Sequence, residues 1–277
     1  SSWSDGEYRR MTSETLTIGR IFRFWTPLLG TWLLMAADGP LLTAIIARMT
    51  DTELNLAAYG VAFSFALVAE APIIMLMSAS TSLASSPLAY RRLRRFTAVL
   101  TTLVTLGLAL LLVPQSYTLL MEGLIGLPSE VALRAHWALL VLLPWPAAIG
   151  WRRFYQGILI RSGQTRRVVL ATVFRLAGMA GCAFLLFYHT SMQGALLGGI
   201  ALSCGVVAEL LASRLLSQRA IKSLLASPQQ GEVLDYSELW RYYLPLALTP
   251  FITLGVHPLV IFFLGKGRLP LESLAVM

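Results

Sequence analysis

The sequence predicts an all-α, polytopic membrane protein, a six-helix transmembrane bundle followed by the start of a second, parallel-repeat bundle. Three observations carry that reading. Of 277 residues, 56% are hydrophobic and only 13% charged, with a mean hydropathy of +0.69, a balance that soluble chains of this length rarely show. Seven apolar runs are long enough to cross roughly 30 Å of hydrocarbon at about 1.5 Å per residue. Gly and Pro interrupt these runs, not the alternating polarity that spanning strands would show, which argues against a barrel.

The runs follow one another closely. The first, at about 21–47, carries Asp38 and Pro40, and the second, at about 56–84, carries Glu70 and Pro72. The third lies at about 97–118, after the basic stretch YRRLRRF at 90–96, read here as a loop whose Tyr90 and Phe96 anchor at the interface. The fourth, at about 136–160, contains the uninterrupted run Trp137 to Trp151 and then Arg152 and Arg153. The fifth, at 168–188, and the sixth, at 194–215, hold Cys182, Cys204 and Gly178, Gly181, Gly194, Gly198, Gly199 and Gly205. These small residues permit close helix approach, and the cysteines have no metal-ligand spacing. The seventh, at 242–264, carries His257 and Pro258, and an eighth would begin near Met277. The opening SSWSDGEYRR has neither an initiator methionine nor a signal-peptide layout, so a partial sequence is expected.

Basic residues alternate between loops. Arg9, Arg10, Arg20 and Arg23 precede the first run; Arg91, Arg92, Arg94 and Arg95 follow the second. Arg161, Arg166 and Arg167 follow the fourth, and Arg214, Arg219 and Lys222 follow the sixth, whereas the other loops hold Arg48, Arg134, Lys266 and Arg268. The positive-inside bias then places the amino terminus and the rich loops in the cytoplasm, with the plasma (inner) membrane as the expected location. The net charge of +8 is accounted for by topology and gives no support to a nucleic-acid partner.

An ungapped offset of 218 superposes Phe22–Ala57 on Trp240–Ala275 and matches Arg23 with Arg241, Pro27 with Pro245, Thr31 with Thr249 and Pro40 with Pro258. The aromatic flank Phe22, Phe24 and Trp25 falls on Trp240, Tyr242 and Tyr243. Six runs separate the copies, so both enter from one side, as in a parallel repeat. The expected organisation is a bundle over 1–215, a cytoplasmic linker over 216–238 centred on Ser227, Pro228, Gln229, Gln230 and Gly231, and the truncated start of a second bundle over 239–277.

The segment GLPSEVALRAHWALLVLLPWPAAIGWRRFYQGILIRSGQTRR, residues 126–167, resembles the third-to-fourth-helix region of the multidrug and toxic compound extrusion (MATE) transporters and the wider superfamily of oligosaccharide-lipid and polysaccharide flippases. The shared layout is a Pro-acid loop, a mid-helix proline and an aromatic-Gln-Gly stretch before basic residues. The opening RFWTPLLGTWLLMAADGPLLTAIIARM and the following LAAYGVAFSFALVAEAP also look like the progressive ankylosis (ANK) family. These resemblances imply two six-helix bundles and ion-coupled secondary transport by alternating access, as an antiporter for multidrug efflux. The alternatives they imply are export of pyrophosphate or an organic anion, or flipping of a pyrophosphate-linked lipid. A non-transporting membrane scaffold is a third reading.

Within the spans the ionisable residues are the candidates. Asp38 and Glu70 are the ion-coupling candidates, since a carboxyl in hydrocarbon must take up a proton or a cation; the resemblance to MATE proteins with a first-helix aspartate points the same way. The coupling ion is expected to be H+ or Na+, with no other cofactor. Pro40 withholds a backbone donor and should free carbonyls near Ala36, a kink that Pro258 would share. Arg152, Arg153, Arg175 and Glu209 form a second constellation in the cytoplasmic third: on one reading the arginines snorkel to the inner headgroups and Arg175 pairs with Glu209, and on the other at least two arginines face the inward cavity, where their excess over one glutamate would favour an anionic substrate. His257 is a further cavity candidate. With no metal-ligand spacing, phosphate-binding Gly-rich loop, nucleophile and base pair or ATPase motif, no enzymatic activity is expected.

Overall fold

The computed structural model describes residues 18–228, 234–266 and 270–276, and every regular element within them is helical. In chain order the helices are α1 (Ile18–Ala36), α2 (Asp38–Ile46), α3 (Thr52–Glu70), α4 (Leu76–Leu83), α5 (Pro87–Leu111), α6 (Pro114–Thr118), a π-helical turn (Leu119–Ile125), α7 (Ser129–Val141), α8 (Trp145–Arg161), α9 (Thr165–His189), α10 (Gly194–Ala226), α11 (Tyr236–Gly265) and α12 (Pro270–Val276). Among the described residues six helical stretches are long and apolar enough to cross a membrane, and α7 with α8, bent by 41°, makes a seventh. The chain is an all-α polytopic membrane protein.

Three of the spans are broken, each beside a proline. Pro40 has no N–H for the Ala36 carbonyl, and the chain tightens so that Ala37 N–H reaches Leu34 O at 3.2 Å before α2 begins. After Glu70, Ile73 and Ile74 both donate to the Glu70 carbonyl at 3.0 Å, leaving the Pro72 carbonyl to the Tyr243 hydroxyl at 2.6 Å. Before Pro144 and Trp145 the same happens: Trp145 N–H turns to Leu142 O at 2.9 Å, and the Val141 carbonyl accepts from the Ser203 hydroxyl at 2.7 Å. Neighbouring helices thus satisfy backbone groups that lipid could not.

The glycines of α9 and α10 allow neighbouring helices to approach closely, with one exception. A Cβ on Gly205 would lie 3.0 Å from the Arg175 carbonyl, one on Gly178 3.0 Å from Ala208 Cβ, and one on Gly199 3.0 Å from the Ala138 carbonyl, whereas Gly181 faces open space. Cys182 and Cys204 face each other across these helices, Sγ to Sγ at 3.3 Å.

Contacts sort the helix ends into two layers. At one end Arg161 Nη1 donates to the Thr81 and Ser82 carbonyls, Arg167 Nη1 to Leu216 O at 2.9 Å, and the Tyr242 hydroxyl to Ser82 Oγ at 3.1 Å. At the other, Arg134 pairs with Asp51 at 2.8 Å and donates to Asn55 Oδ1, which also accepts from Ala195 N–H. Asp51 has φ 52, a left-handed conformation that costs a non-glycine residue about 1 kcal/mol, and the Arg134 pair helps hold it there.

Three expectations change. The basic stretch 90–96 is not a loop but the first turns of α5, started by Ser86 as N-cap (Ala89 N–H to Ser86 Oγ, 3.2 Å) and by Pro87. Tyr90, Leu93 and Phe96 recur on its buried face while Arg91, Arg94 and Arg95 are exposed. Next, α10 continues to Ala226 and α11 starts at Tyr236, so much of the stretch read as a linker is helix; Gln229, Gln230 and Gly231 lie outside the described residues. Finally, the division of the helix is not shared. The loop after Ile46 and the start of α3 at Thr52 map by the 218 offset onto Leu264 and onto Pro270, where α12 starts, yet α11 runs unbroken through Pro245, Pro250 and Pro258. A proline costs a long membrane helix one backbone bond and does not compel a break. In the first copy Asp38, at the break, meets a buried arginine, whereas Val256 and His257, the counterparts of Asp38 and Gly39, are exposed.

Candidate functional site

The breaks deliver charge to the interior. Asp38 is the first residue of α2 and Glu70 the last of α3, so each carboxylate sits where a helix terminates, in the middle of a membrane-crossing segment. Two turns into α8, Arg152 and Arg153 project from adjacent positions, and α9 and α10 add Arg175 and Glu209. All six are buried.

They form one network. Arg175 Nε and Nη2 bind Asp38 Oδ2 at 2.7 and 2.6 Å, a bidentate approach to a single oxygen, and Arg175 Nη1 lies 3.6 Å from Glu209 Oε2. Glu209 is wholly enclosed: Arg152 Nη1 donates to its Oε2, while Gln156 Nε2 at 2.9 Å and Thr172 Oγ1 at 3.0 Å donate to its Oε1. Arg153 Nη2 faces Glu70 Oε1 at 3.6 Å. The Arg175 guanidinium also lies 5.7 Å from the centre of the Trp145 ring, the first residue of α8.

Two expectations are corrected by this geometry. Asp38 does not belong to a constellation apart from the arginines: it is bonded to Arg175, which also keeps the expected pair with Glu209 at 3.6 Å. Nor is there a surplus of arginine. Three guanidinium groups meet three carboxylates, so the site is neutral with every group ionised, and the electrostatic argument for an anionic substrate falls. That balance is what makes burial tolerable, since each isolated ion would cost several kcal/mol.

The pairing is incomplete. Asp38 Oδ1, Arg152 Nε and Nη2, Arg153 Nε and Trp145 Nε1 are buried without a hydrogen-bond partner. A cavity of about 310 Å³ opens beside them, lined by Asp38, Glu70, Arg153 and Arg175 together with Trp32, Tyr59, Phe63 and Trp145. Its wall therefore carries both signs of charge on an aromatic surface. His257 does not join the network; exposed on α11, it borders a separate cavity of about 290 Å³ with Gly39, Tyr59 and Ser64. Among the described residues no three His, Cys, Asp or Glu side chains are placed to hold a metal ion.

Gln156, Thr172 and Trp145 are members that charge alone does not single out. Spacing does: Gln156 follows Arg152 by four residues and Thr172 precedes Arg175 by three, so each shares a helix face with its arginine. Comparison of the chain with protein-family models, with curated proteins and with solved structures found no match.

Proposed function

We propose that this protein is an ion-coupled secondary transporter that works by alternating access, a MATE-like exporter, with Asp38 and Glu70 carrying the coupling ion. The observation that supports it most directly is a neutral set of three buried arginine–carboxylate pairs, two of which, Arg175–Asp38 and Arg153–Glu70, have their carboxylate at a helix break and line a cavity. Asp38 Oδ1 and Arg153 Nε, which have no hydrogen-bond partner among the described residues, belong to residues that line this cavity, where an incoming ion or substrate group can meet them.

Such pairs can be exchanged. A proton or Na+ arriving at Asp38 neutralises the carboxylate and weakens its hold on Arg175; loss of that ion restores the pair. Because α1–α2 and α3–α4 are jointed at these residues, a change in pairing would alter how the halves of each span sit on α8 and α9. Broken helices around a polar cavity near mid-membrane are a recurring transporter arrangement. The basic end of the bundle is placed in the cytoplasm by the positive-inside bias. An ANK-like anion exporter, a flippase or a scaffold remains an outcome of the test.

The test is transport by the purified protein in liposomes under an imposed pH gradient, with a lipophilic cation and pyrophosphate offered in parallel. The expected result is movement of the cation driven by the gradient, abolished in Asp38→Asn while membrane insertion is unchanged. Full coupling in Asp38→Asn would remove Asp38 from the mechanism. Pyrophosphate movement would support the anion reading, and movement of neither would support the scaffold.

A further inference from the structure

A second cavity, of about 480 Å³, lies well away from the buried network, where the ends of α8 and α10 meet the turn into α9. Its charged wall is Arg161, the last residue of α8, and Arg219 of α10. Among the described residues no carboxylate lines it, and neither arginine has an ion-pair partner. Arg161 commits Nη1 to the Thr81 and Ser82 carbonyls at 2.9 and 3.1 Å, which fixes the guanidinium and leaves its other nitrogens free to point elsewhere. Gln164, in the turn after Gly163 (φ 72), also lines the cavity, and its Oε1 is buried with no hydrogen-bond partner.

The depth of the cavity follows from helix length. α10 has 33 residues, about 50 Å at about 1.5 Å each, and so outruns roughly 30 Å of hydrocarbon. Arg219 lies 25 residues beyond Gly194, the first residue of α10, which is about 37 Å and hence at the level of the headgroups. The same end of the bundle carries Arg166, Arg167, Arg214 and Lys222, a field that concentrates anions.

We infer that this cavity binds a phosphate group carrying a neighbouring hydroxyl, the chemistry of a phosphoglycerol headgroup. The two guanidinium forks take the phosphate oxygens. Among the described residues no hydrogen bond holds the Gln164 side-chain amide, so it can turn Oε1 from its buried position to the cavity and accept from the hydroxyl. The ligand can arrive from the bilayer, as a phosphatidylglycerol headgroup, or from solution, as a glycerol phosphate; the recognising atoms are the same.

The experiment separates the sources. Purified full-length chain is exchanged into bilayer discs of phosphatidylcholine containing phosphatidylglycerol or phosphatidic acid, and lipid retained per chain is read by native mass spectrometry; glycerol 3-phosphate is titrated calorimetrically in parallel. Wild type should retain phosphatidylglycerol over phosphatidic acid, and Arg219→Gln should lower retention by about tenfold or more, the worth of a charge-assisted bond. Gln164→Leu should erase the preference for phosphatidylglycerol over phosphatidic acid, which lacks the hydroxyl. Arg166→Gln, outside the cavity, should change neither. Glycerol 3-phosphate binding that Arg219→Gln abolishes would assign the site to a solute. Equal loss in Arg219→Gln and Arg166→Gln, or no retained lipid and no solute binding, would overturn the inference. Among the described residues Arg219 makes no hydrogen bond or ion pair, so its replacement leaves a folded protein to test.

Discussion

Glu209 offers the most direct test of the charge network. Its side chain is fully enclosed, as is that of Arg152, its closest partner, and it also takes Gln156 and Thr172 and faces Arg175 at 3.6 Å. Glu209→Gln keeps the volume and removes the charge. The interior then holds three guanidinium groups against two carboxylates, and the new amide must turn its NH2 either on Gln156 and Thr172 or on Arg152 and Arg175, which donate to the carboxylate in the wild type. Removing one member of a buried pair costs about 3–5 kcal/mol because the other stays charged and dry. At about 2–4 °C per kcal/mol, the midpoint should fall by roughly 6–20 °C in a thermal unfolding assay of detergent-solubilised protein followed by intrinsic fluorescence. Neutrality can be restored from the other side. The double variant Glu209→Gln with Arg152→Gln should be more stable than Glu209→Gln alone, with a coupling energy of about 2 kcal/mol or more in the double-mutant cycle. If the single variant unfolds within about 1 kcal/mol of wild type, or the two changes simply add, then charge balance is not what holds this interior together.

Further predictions concern the helix breaks and close approaches. Tyr243→Phe removes the donor that meets the Pro72 carbonyl at 2.6 Å and leaves that carbonyl bare, so chemical or thermal unfolding should show a loss of about 1–3 kcal/mol; no loss would mean that the break needs no cap. Gly157→Ala places a Cβ against Ser80 and 2.5 Å from the Met77 carbonyl, forcing α8 off α4 at a cost of about 1–3 kcal/mol, whereas Gly181→Ala, with nothing within 4 Å, should be neutral or stabilising by up to about 1 kcal/mol. The two midpoints, measured side by side, must move apart in that order.

How much of this was legible beforehand differs by element. The spans were visible as apolar runs because hydrocarbon thickness sets a minimum length, and their joints could be placed near Pro40 and Pro72 because a missing N–H acts locally. The helical start of α5 was legible too, in Ser86-Pro87 and the spacing of Tyr90, Leu93 and Phe96, but the density of arginine masked it. The extension of α10 past 215 was hidden because hydropathy falls at the headgroups while the helix need not stop there. For the site, the individual ionisable residues stood out for being inside spans. Their partnership did not.

What the sequence by itself determined is therefore the class of molecule and the identity of its costly residues: the apolar runs require a membrane, and Asp38, Glu70, Arg152, Arg153, Arg175 and Glu209 within them must be compensated. Only the tertiary structure decided who compensates whom. Arg175 meets Asp38 across 137 residues and Arg152 meets Glu209 across 57. Those pairings depend on the order in which helices pack, on their rotation about their own axes and on the bend at each break. Hydrophobic patterning leaves all three undetermined when every face of a helix is apolar, because lipid and protein interior then look alike to the chain.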